Sequence, residues 1–248
     1  CGSPNMIPRR FDGMLRPDLV IPFKKTKEEA VAALTEFYKG KRLLPKEFTS
    51  ENRIKEIQSM YVPFWLFDAH VNVDANFNAE RRNTRETTNE TVTEISHYRC
   101  ERSGEMTFHG IPVDASKRMD DSFMDSIEPF DYKDLVPFSA AYFTGHLADK
   151  YDVDVKESLP RADSRLAESA SWVLSTSVKN YTNVTPEGAP LIHKEEGNVR
   201  YAMLPVWILT TNYKGKPYTF MMNGQTGKVV SSSLPRDKFK ERYYPLVP

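Results

Sequence analysis

The sequence predicts an α+β fold, mainly an antiparallel sheet with flanking helices. Two apolar segments, residues 61–67 and 203–209, each contain an early proline and centre on a tryptophan, Trp65 and Trp207. Each segment follows a helical pattern and precedes further strands that are joined by short turns, as in hairpins and meanders. We therefore expect these segments to be the central strands, within two related helix-plus-sheet halves.

The length favours one large domain, with two interlocked halves as the alternative. A chain of 248 residues with 40% hydrophobic and 27% charged residues can bury a sizeable core and is not typical of disorder. We predict a single domain over residues 17–235, with halves 17–118 and 155–235 joined by a helical middle, 119–154. Residues 1–16 precede this domain, and residues 236–248 form a basic tail.

The first half contains a well-marked helix and a long strand. Thr26 and Glu29 form a capping box, an apolar stripe follows at Ala30, Leu34 and Phe37, and Gly40 ends the helix. A short helix over residues 50–58 leads into the first tryptophan strand. Residues 65–78 then alternate between apolar and polar side chains, which indicates one buried and one solvated face.

Later elements follow from turn and helix signals. We predict a hairpin of residues 86–100 and 106–113 that turns at Ser103-Gly104, and several short helices in the proline-interrupted middle. A helix over residues 160–179 is expected to begin near Pro160. Its buried side should carry Leu166, Ala170, Val173 and Trp172, so that Trp172 belongs to the core.

The second tryptophan strand should begin a meander. It is expected over residues 199–213, followed by strands 218–222 and 228–231, with turns at Lys214-Gly215 and Asn223-Gly224. Residues 224–228 resemble a phosphate-binding loop in part, but the spacing to a first glycine and the following Ser or Thr are missing. This segment is therefore a predicted β-turn.

Charge is balanced overall and uneven locally. The formal net charge is +0, which disfavours a chain built mainly to coat nucleic acid. Residues 9–55 nevertheless carry 12 basic and 7 acidic residues, and residues 120–154 carry 9 acidic and 2 basic ones. Such blocks usually solvate exposed faces. No EF-hand register, nucleophile elbow, zincin helix or dinucleotide turn occurs, so those classes are disfavoured.

The cysteine content and hydropathy predict a cytoplasmic protein. The two cysteines, Cys1 and Cys100, exclude a disulfide framework and fit a reducing compartment. No apolar run is long enough to span a membrane, and no signal peptide opens the sequence.

One local arrangement suggests metal chemistry. Asp68, His70 and Asp74 lie on the polar face of the first tryptophan strand, and side chains two apart on a strand point the same way. Carboxylate and imidazole groups that converge could hold a divalent ion. The alternative is an ordinary solvated strand face.

The opening residues carry a second metal hypothesis. Cys1-Gly2-Ser3-Pro4 resembles the second half of a zinc knuckle, although one cysteine cannot hold zinc. The alternative is a cysteine unrelated to metal binding.

Several motifs, mostly prolines, aromatics and turns, span nearly the whole chain: residues 1–4, 17–18, 21–24, 26–30, 44–48, 61–65, 111–114, 127–131, 145–154, 204–207 and 222–228. Together they resemble a bacterial family of zinc-ribbon proteins, often labelled primosomal-helicase-like or transcription-factor-type. Nothing in the chain resembles a helicase motor, and the resemblance implies no catalytic residues.

The resemblance implies features of a longer protein. Cys1 would be the last ligand of an amino-terminal zinc ribbon in the full-length protein, with zinc as its cofactor. Many relatives continue into a carboxy-terminal membrane segment, whose cytoplasmic flank would suit Arg236, Lys238, Lys240 and Arg242. The protein would then be cytoplasmic or membrane-associated.

We predict a non-enzymatic binding or scaffolding domain, with a protein as its partner. A first alternative is a nucleic-acid-associated accessory domain that acts through the ribbon and the basic amino-terminal region. A second is a metal-dependent hydrolase that uses Asp68, His70 and Asp74.

Overall fold

The structure is a computed structural model that describes residues 15–235. It shows a mixed protein of helices and strands with a large, mainly antiparallel sheet, which confirms the predicted α+β class. The predicted zinc ligand Cys1 and the basic tail lie outside the described residues.

Nine strands and five α-helices form this part of the chain. In chain order they are β1 (Leu19–Val20), α1 (Lys27–Tyr38), α2 (Lys46–Thr49), α3 (Glu51–Ile54), β2 (Gln58–Glu86), β3 (Thr91–Asp114), α4 (Asp121–Ile127), β4 (Val136–Pro137), β5 (Leu147–Ala148), α5 (Val155–Thr176), β6 (Asn183–Pro186), β7 (Leu191–Tyr213), β8 (Lys216–Asn223) and β9 (Val229–Ser231). Short 3-10 helices at Tyr132–Asp134 and Ala140–Phe143 complete the predicted helical middle.

Both tryptophan segments are strands in the interior of the sheet. The strand order is β3-β2-β7-β1-β4, with β2 and β7 as neighbours. Antiparallel pairing joins β7 to β8 and β8 to β9, as the predicted meander requires. Short parallel pairings join β1 to β7 and β5 to β2.

The chain forms two compact units that are discontinuous in sequence. Unit 1 contains the residues up to Phe64, then Asp114–Asp154, and those from Arg200 onward. Unit 2 contains Trp65–Val113 and Val155–Val199. Each predicted half contributes residues to both units, because β2 and β7 are long enough to pass from one unit into the other.

The core of unit 1 lies between α1 and the strands β7 and β8. Thr26 caps α1 and forms the predicted box with Glu29, and the helix buries Ala30 and Leu34. These side chains pack in one cluster with Trp207 and further buried residues, which are Tyr38, Leu44, Phe48, Ile54, Ile57, Leu209, Phe220 and Met222. Helix α1 thus provides the apolar cover for the second tryptophan strand.

The turn after β8 is fixed by a buried amide. The Asn223 side chain is 0% exposed; its Oδ1 accepts hydrogen bonds from the backbone N–H groups of Gln225 and Thr226, both at 2.9 Å. Its Nδ2 donates to the carbonyl oxygens of Ile127 and Pro129 at 3.0 and 3.2 Å. The segment that resembles a phosphate loop is therefore a side-chain-stabilised turn.

The core of unit 2 lies between α5 and one face of β2. The predicted alternation is confirmed, since Val71, Val73 and Phe77 are buried while Asn72 and Asp74 are exposed. Helix α5 covers the apolar face with residues that recur every four positions, namely Ala162, Leu166, Ala170 and Leu174.

The predicted turn at Ser103-Gly104 is wrong. Strand β3 continues through it from Thr91 to Asp114, and the hairpin turns at residues 87–90. There the Thr87 N–H donates to the Glu90 carbonyl at 2.9 Å, and the Thr87 hydroxyl accepts from the Glu90 N–H at 3.2 Å. Gly104 has a packing role instead, because a Cβ there would lie 3.2 Å from Cδ2 of Leu174.

The expected start of α5 and the expected burial of Trp172 are also wrong. The helix begins at Val155, so Pro160 lies inside it. Trp172 follows Ala170 by two positions, about 200° around the helix, and is therefore 69% exposed. Val173, also expected in the core, is 40% exposed.

Candidate functional site: a groove between α5 and β6

The three predicted metal ligands lie on one strand face but do not meet. Asp68 Oδ1 accepts a hydrogen bond from the Gly110 N–H at 2.8 Å, and Asp74 accepts one from the Ser103 hydroxyl at 2.5 Å. Because a strand rises about 3.3 Å per residue, Asp68 and Asp74 are separated by about 20 Å along β2. One ion cannot bind both carboxylates.

His70 is engaged with strand β3. Its Nδ1 lies 2.9 Å from the Thr107 hydroxyl and its Nε2 lies 3.0 Å from a carboxylate oxygen of Glu105. Within residues 15–235, no group of three or more His, Cys, Asp or Glu side chains could hold a metal ion. The polar face of β2 is thus a set of cross-strand pairs with β3.

The surface beside α5 has a different character. An open groove of about 510 Å³ runs between α5 and the segment that contains β6. Its helix wall consists of Trp172 and mainly small side chains, and its other wall is rich in Pro, Gly and Ala. The lining residues are Ser164, Ala167, Glu168, Ser171, Trp172, Ser175, Val184, Pro186, Gly188, Ala189 and Pro190.

The groove follows from the register of α5. Ala167, Ser171 and Ser175 recur every four positions, one residue after the buried stripe, and so form the flank of the helix next to the core. Their short side chains leave open space between the helix and β6. Trp172 follows Ser171 and therefore lies about 100° further around the helix, where its exposed side chain also lines the groove.

One edge of β6 has no strand beside it in the described part of the chain. β6 pairs antiparallel with β2 through the register Phe77↔Pro186 to Glu80↔Asn183, and with no other strand there. Unpaired N–H and C=O groups on a sheet edge can pair with an added extended segment. The groove thus combines an open sheet edge, an apolar wall and an exposed aromatic ring.

Further exposed apolar side chains lie near this site in the chain. Leu191, which directly follows the groove residue Pro190, is 60% exposed. The exposure of Trp172 could have been predicted from the sequence, because Trp172 lies off the apolar stripe formed by Leu166, Ala170 and Leu174.

The fold and the groove define an α+β protein with an open, mainly apolar groove on its surface. The chain is 38% identical over 221 residues to the uncharacterized protein YdjG of Bacillus subtilis (strain 168). The similarity covers 89% of this chain and 64% of YdjG, so the chain spans less than two thirds of the length of that relative. No protein-family model matches the chain, and no solved structure matches it.

Two other predictions concern membranes and zinc. Among the helices within residues 15–235, none is long and apolar enough to cross a membrane. The resemblance to zinc-ribbon proteins, with Cys1 as a ligand, stays a prediction because Cys1 is not described.

Proposed function

We propose that this chain is a non-enzymatic binding domain that takes an extended segment of a partner protein in the groove between α5 and β6. The observation that carries the proposal is Trp172, a large aromatic side chain that is 69% exposed beside an open groove at a sheet edge. Exposed tryptophans of this kind are typical anchors of protein interfaces.

The walls of the groove favour an extended segment over a bulky surface. The edge of β6 offers main-chain pairing only over a short stretch, because Pro186 has no N–H to donate. Apolar side chains of the partner would supply the remaining affinity by packing against Trp172 and the small residues of α5. A mainly apolar extended segment fits both features.

The three tryptophans allow a direct test. Trp65 and Trp207 are 3% and 6% exposed, so acrylamide should quench chiefly the fluorescence of Trp172. Linear peptides selected from a random display library against the full chain should shift this emission to the blue and protect it from acrylamide. Trp172→Ser should weaken their binding at least about tenfold, as expected for an aromatic anchor.

A control variant distinguishes binding in the groove from non-specific binding to exposed apolar side chains. Val92 is an exposed apolar residue on the β2–β3 hairpin, 49% exposed, and Val92→Ser should leave the affinity unchanged. Ser171→Arg, which fills the groove without removing Trp172, should weaken binding as Trp172→Ser does. Selected peptides that bind Trp172→Ser as tightly as the original chain would rule out this function.

We also propose that the two related halves exchange their helices. In unit 1, α1 of the first half packs on β7, the second tryptophan strand. In unit 2, α5 of the second half packs on β2, beyond Trp65 of the first tryptophan strand. If so, neither residues 17–118 nor residues 155–235 should fold alone. A cooperative unfolding transition in either fragment would contradict the exchange.

A further inference from the structure

A second groove, in unit 1, combines an apolar floor with a basic rim. It has a volume of about 690 Å³ and lies between the end of α1 and residues 232–235. Phe37, Leu44 and Leu234 form its apolar part and join the core cluster under α1. Lys41 and Arg42 form its rim, and no carboxylate among residues 15–235 lines it.

The two rim cations have no carboxylate partner in the described part of the chain. Lys41 Nζ lies 3.0 Å from the centre of the Phe37 ring, and Arg42 is exposed. Neither side chain forms an ion pair with an acid within residues 15–235. The neighbouring Lys39, by contrast, pairs with Glu36 at 3.2 Å. No acid among residues 15–235 therefore offsets the positive charge of the rim.

We propose that this groove binds an acidic, apolar segment of a partner protein. Charge complementarity selects the acidic groups, since carboxylates would meet Lys41 and Arg42 at the rim. The floor selects the apolar groups, which would cover Phe37 and Leu234. A concave groove receives individual side chains, whereas a bilayer surface meets a flat or convex basic face, so the shape favours a peptide over a membrane.

The proposal is independent of the groove between α5 and β6. The unit 1 groove lies wholly within unit 1, and Trp172 belongs to unit 2. Trp172→Ser should therefore leave binding at the unit 1 groove unchanged, which distinguishes failure of one proposal from failure of the other.

The test uses the full chain and a fluorescein-labelled peptide of alternating glutamate and leucine, with fluorescence anisotropy as the readout. We expect salt-sensitive binding that the double variant Lys41→Glu/Arg42→Glu weakens about tenfold. Leu234→Ser should also weaken binding, because it makes the floor polar. Circular dichroism verifies that each variant is folded, and the charge variants change only exposed side chains.

A charge-matched control and three other probes decide the outcome. Lys27→Glu/Lys216→Glu changes two exposed cations elsewhere in unit 1 and should leave the affinity unchanged. Equal weakening by this control would overturn the proposal, as would absence of peptide binding at low salt. Stronger binding to the lysine and leucine counterpart of the peptide, equal binding to an oligothymidine of the same charge, or binding only to vesicles that contain phosphatidylserine would also overturn it.

Discussion

Asn223 is the residue whose loss should destabilise unit 1 most clearly through hydrogen bonding. Its fully buried amide makes four hydrogen bonds to backbone groups, two in its own turn, one at the last residue of α4 and one just after it. Asn223→Ala leaves two N–H and two C=O groups without their partner. At about 1 kcal/mol for each bond, and with some access of water, we expect a loss of about 3 kcal/mol in the free energy of unfolding.

Asn223→Asp keeps the two hydrogen bonds that the Asn223 side chain accepts and removes the two that it donates. A carboxylate still accepts from the N–H groups of Gln225 and Thr226, but it faces the carbonyl oxygens of Ile127 and Pro129 without a proton to donate. Burial among carbonyls should raise the pKa of the introduced acid. The native state would then bind the extra proton more readily than the unfolded state, so this variant should regain stability as the pH falls.

Urea unfolding and amide hydrogen exchange measure the effect. Exchange is needed because two compact units need not unfold together. We expect Asn223→Ala to lower the urea midpoint and to speed exchange at Gln225 and Thr226. The exposed Asn72 provides the control, since Asn72→Ala should change stability by less than about 0.5 kcal/mol. Unchanged exchange at the turn in Asn223→Ala would refute the reasoning.

Three further predictions concern single contacts. Gly197→Ala should lower the free energy of unfolding by about 1 to 3 kcal/mol, because its Cβ would lie 2.5 Å from the Asp68 carbonyl oxygen. Gly104→Ala should lower it less, because its Cβ would meet only the end of the Leu174 side chain. Equal urea midpoints for the two variants would contradict this expectation. Thr26→Ala removes the cap of α1 and should cost about 1 kcal/mol by thermal unfolding, whereas an unchanged melting temperature would argue against a stabilising cap. His146 stacks on Phe23 at 4.5 Å between ring centres, and burial lowers its pKa. The native state therefore binds fewer protons than the unfolded state at about pH 6. The stability that comes from keeping His146 neutral is complete above the unfolded pKa of about 6.5 and is lost as the pH falls below that value. His146→Phe should reduce this acid loss of unfolding free energy in urea titrations, and an unchanged pH dependence would refute the assignment.

Local sequence signals predicted the elements of the fold well where a short-range contact fixes them. The capping box of Thr26 and Glu29 and the alternation along β2 both involve neighbouring residues, and both are confirmed. The turn at Ser103-Gly104 was wrong because glycine was interpreted as a turn signal, whereas it makes room for Leu174 from a distant helix. Contacts between elements far apart in sequence decide such cases.

The candidate site was harder to predict for the same reason. The strand face of Asp68, His70 and Asp74 followed from alternation, but its partners on β3 depend on the hairpin register, which the misplaced turn concealed. The groove beside α5 depends on which stripe of the helix is buried. Leu166 and Ala170 identified that stripe, and a strict 3.6-residue period would have placed Trp172 on the opposite side.

The prolines of the candidate groove bear on how a partner would bind. A free sheet edge can pair with any extended chain, which is a hazard for the protein, and proline limits such pairing because it lacks an N–H. Pro186 and Pro190 both line the groove, and β6 is only four residues long and already pairs with β2, so few main-chain groups remain for pairing. Backbone hydrogen bonds alone would then give weak binding without sequence preference. In the proposed complex, affinity and specificity would come from side chains, and Trp172 is the largest side chain lining the groove.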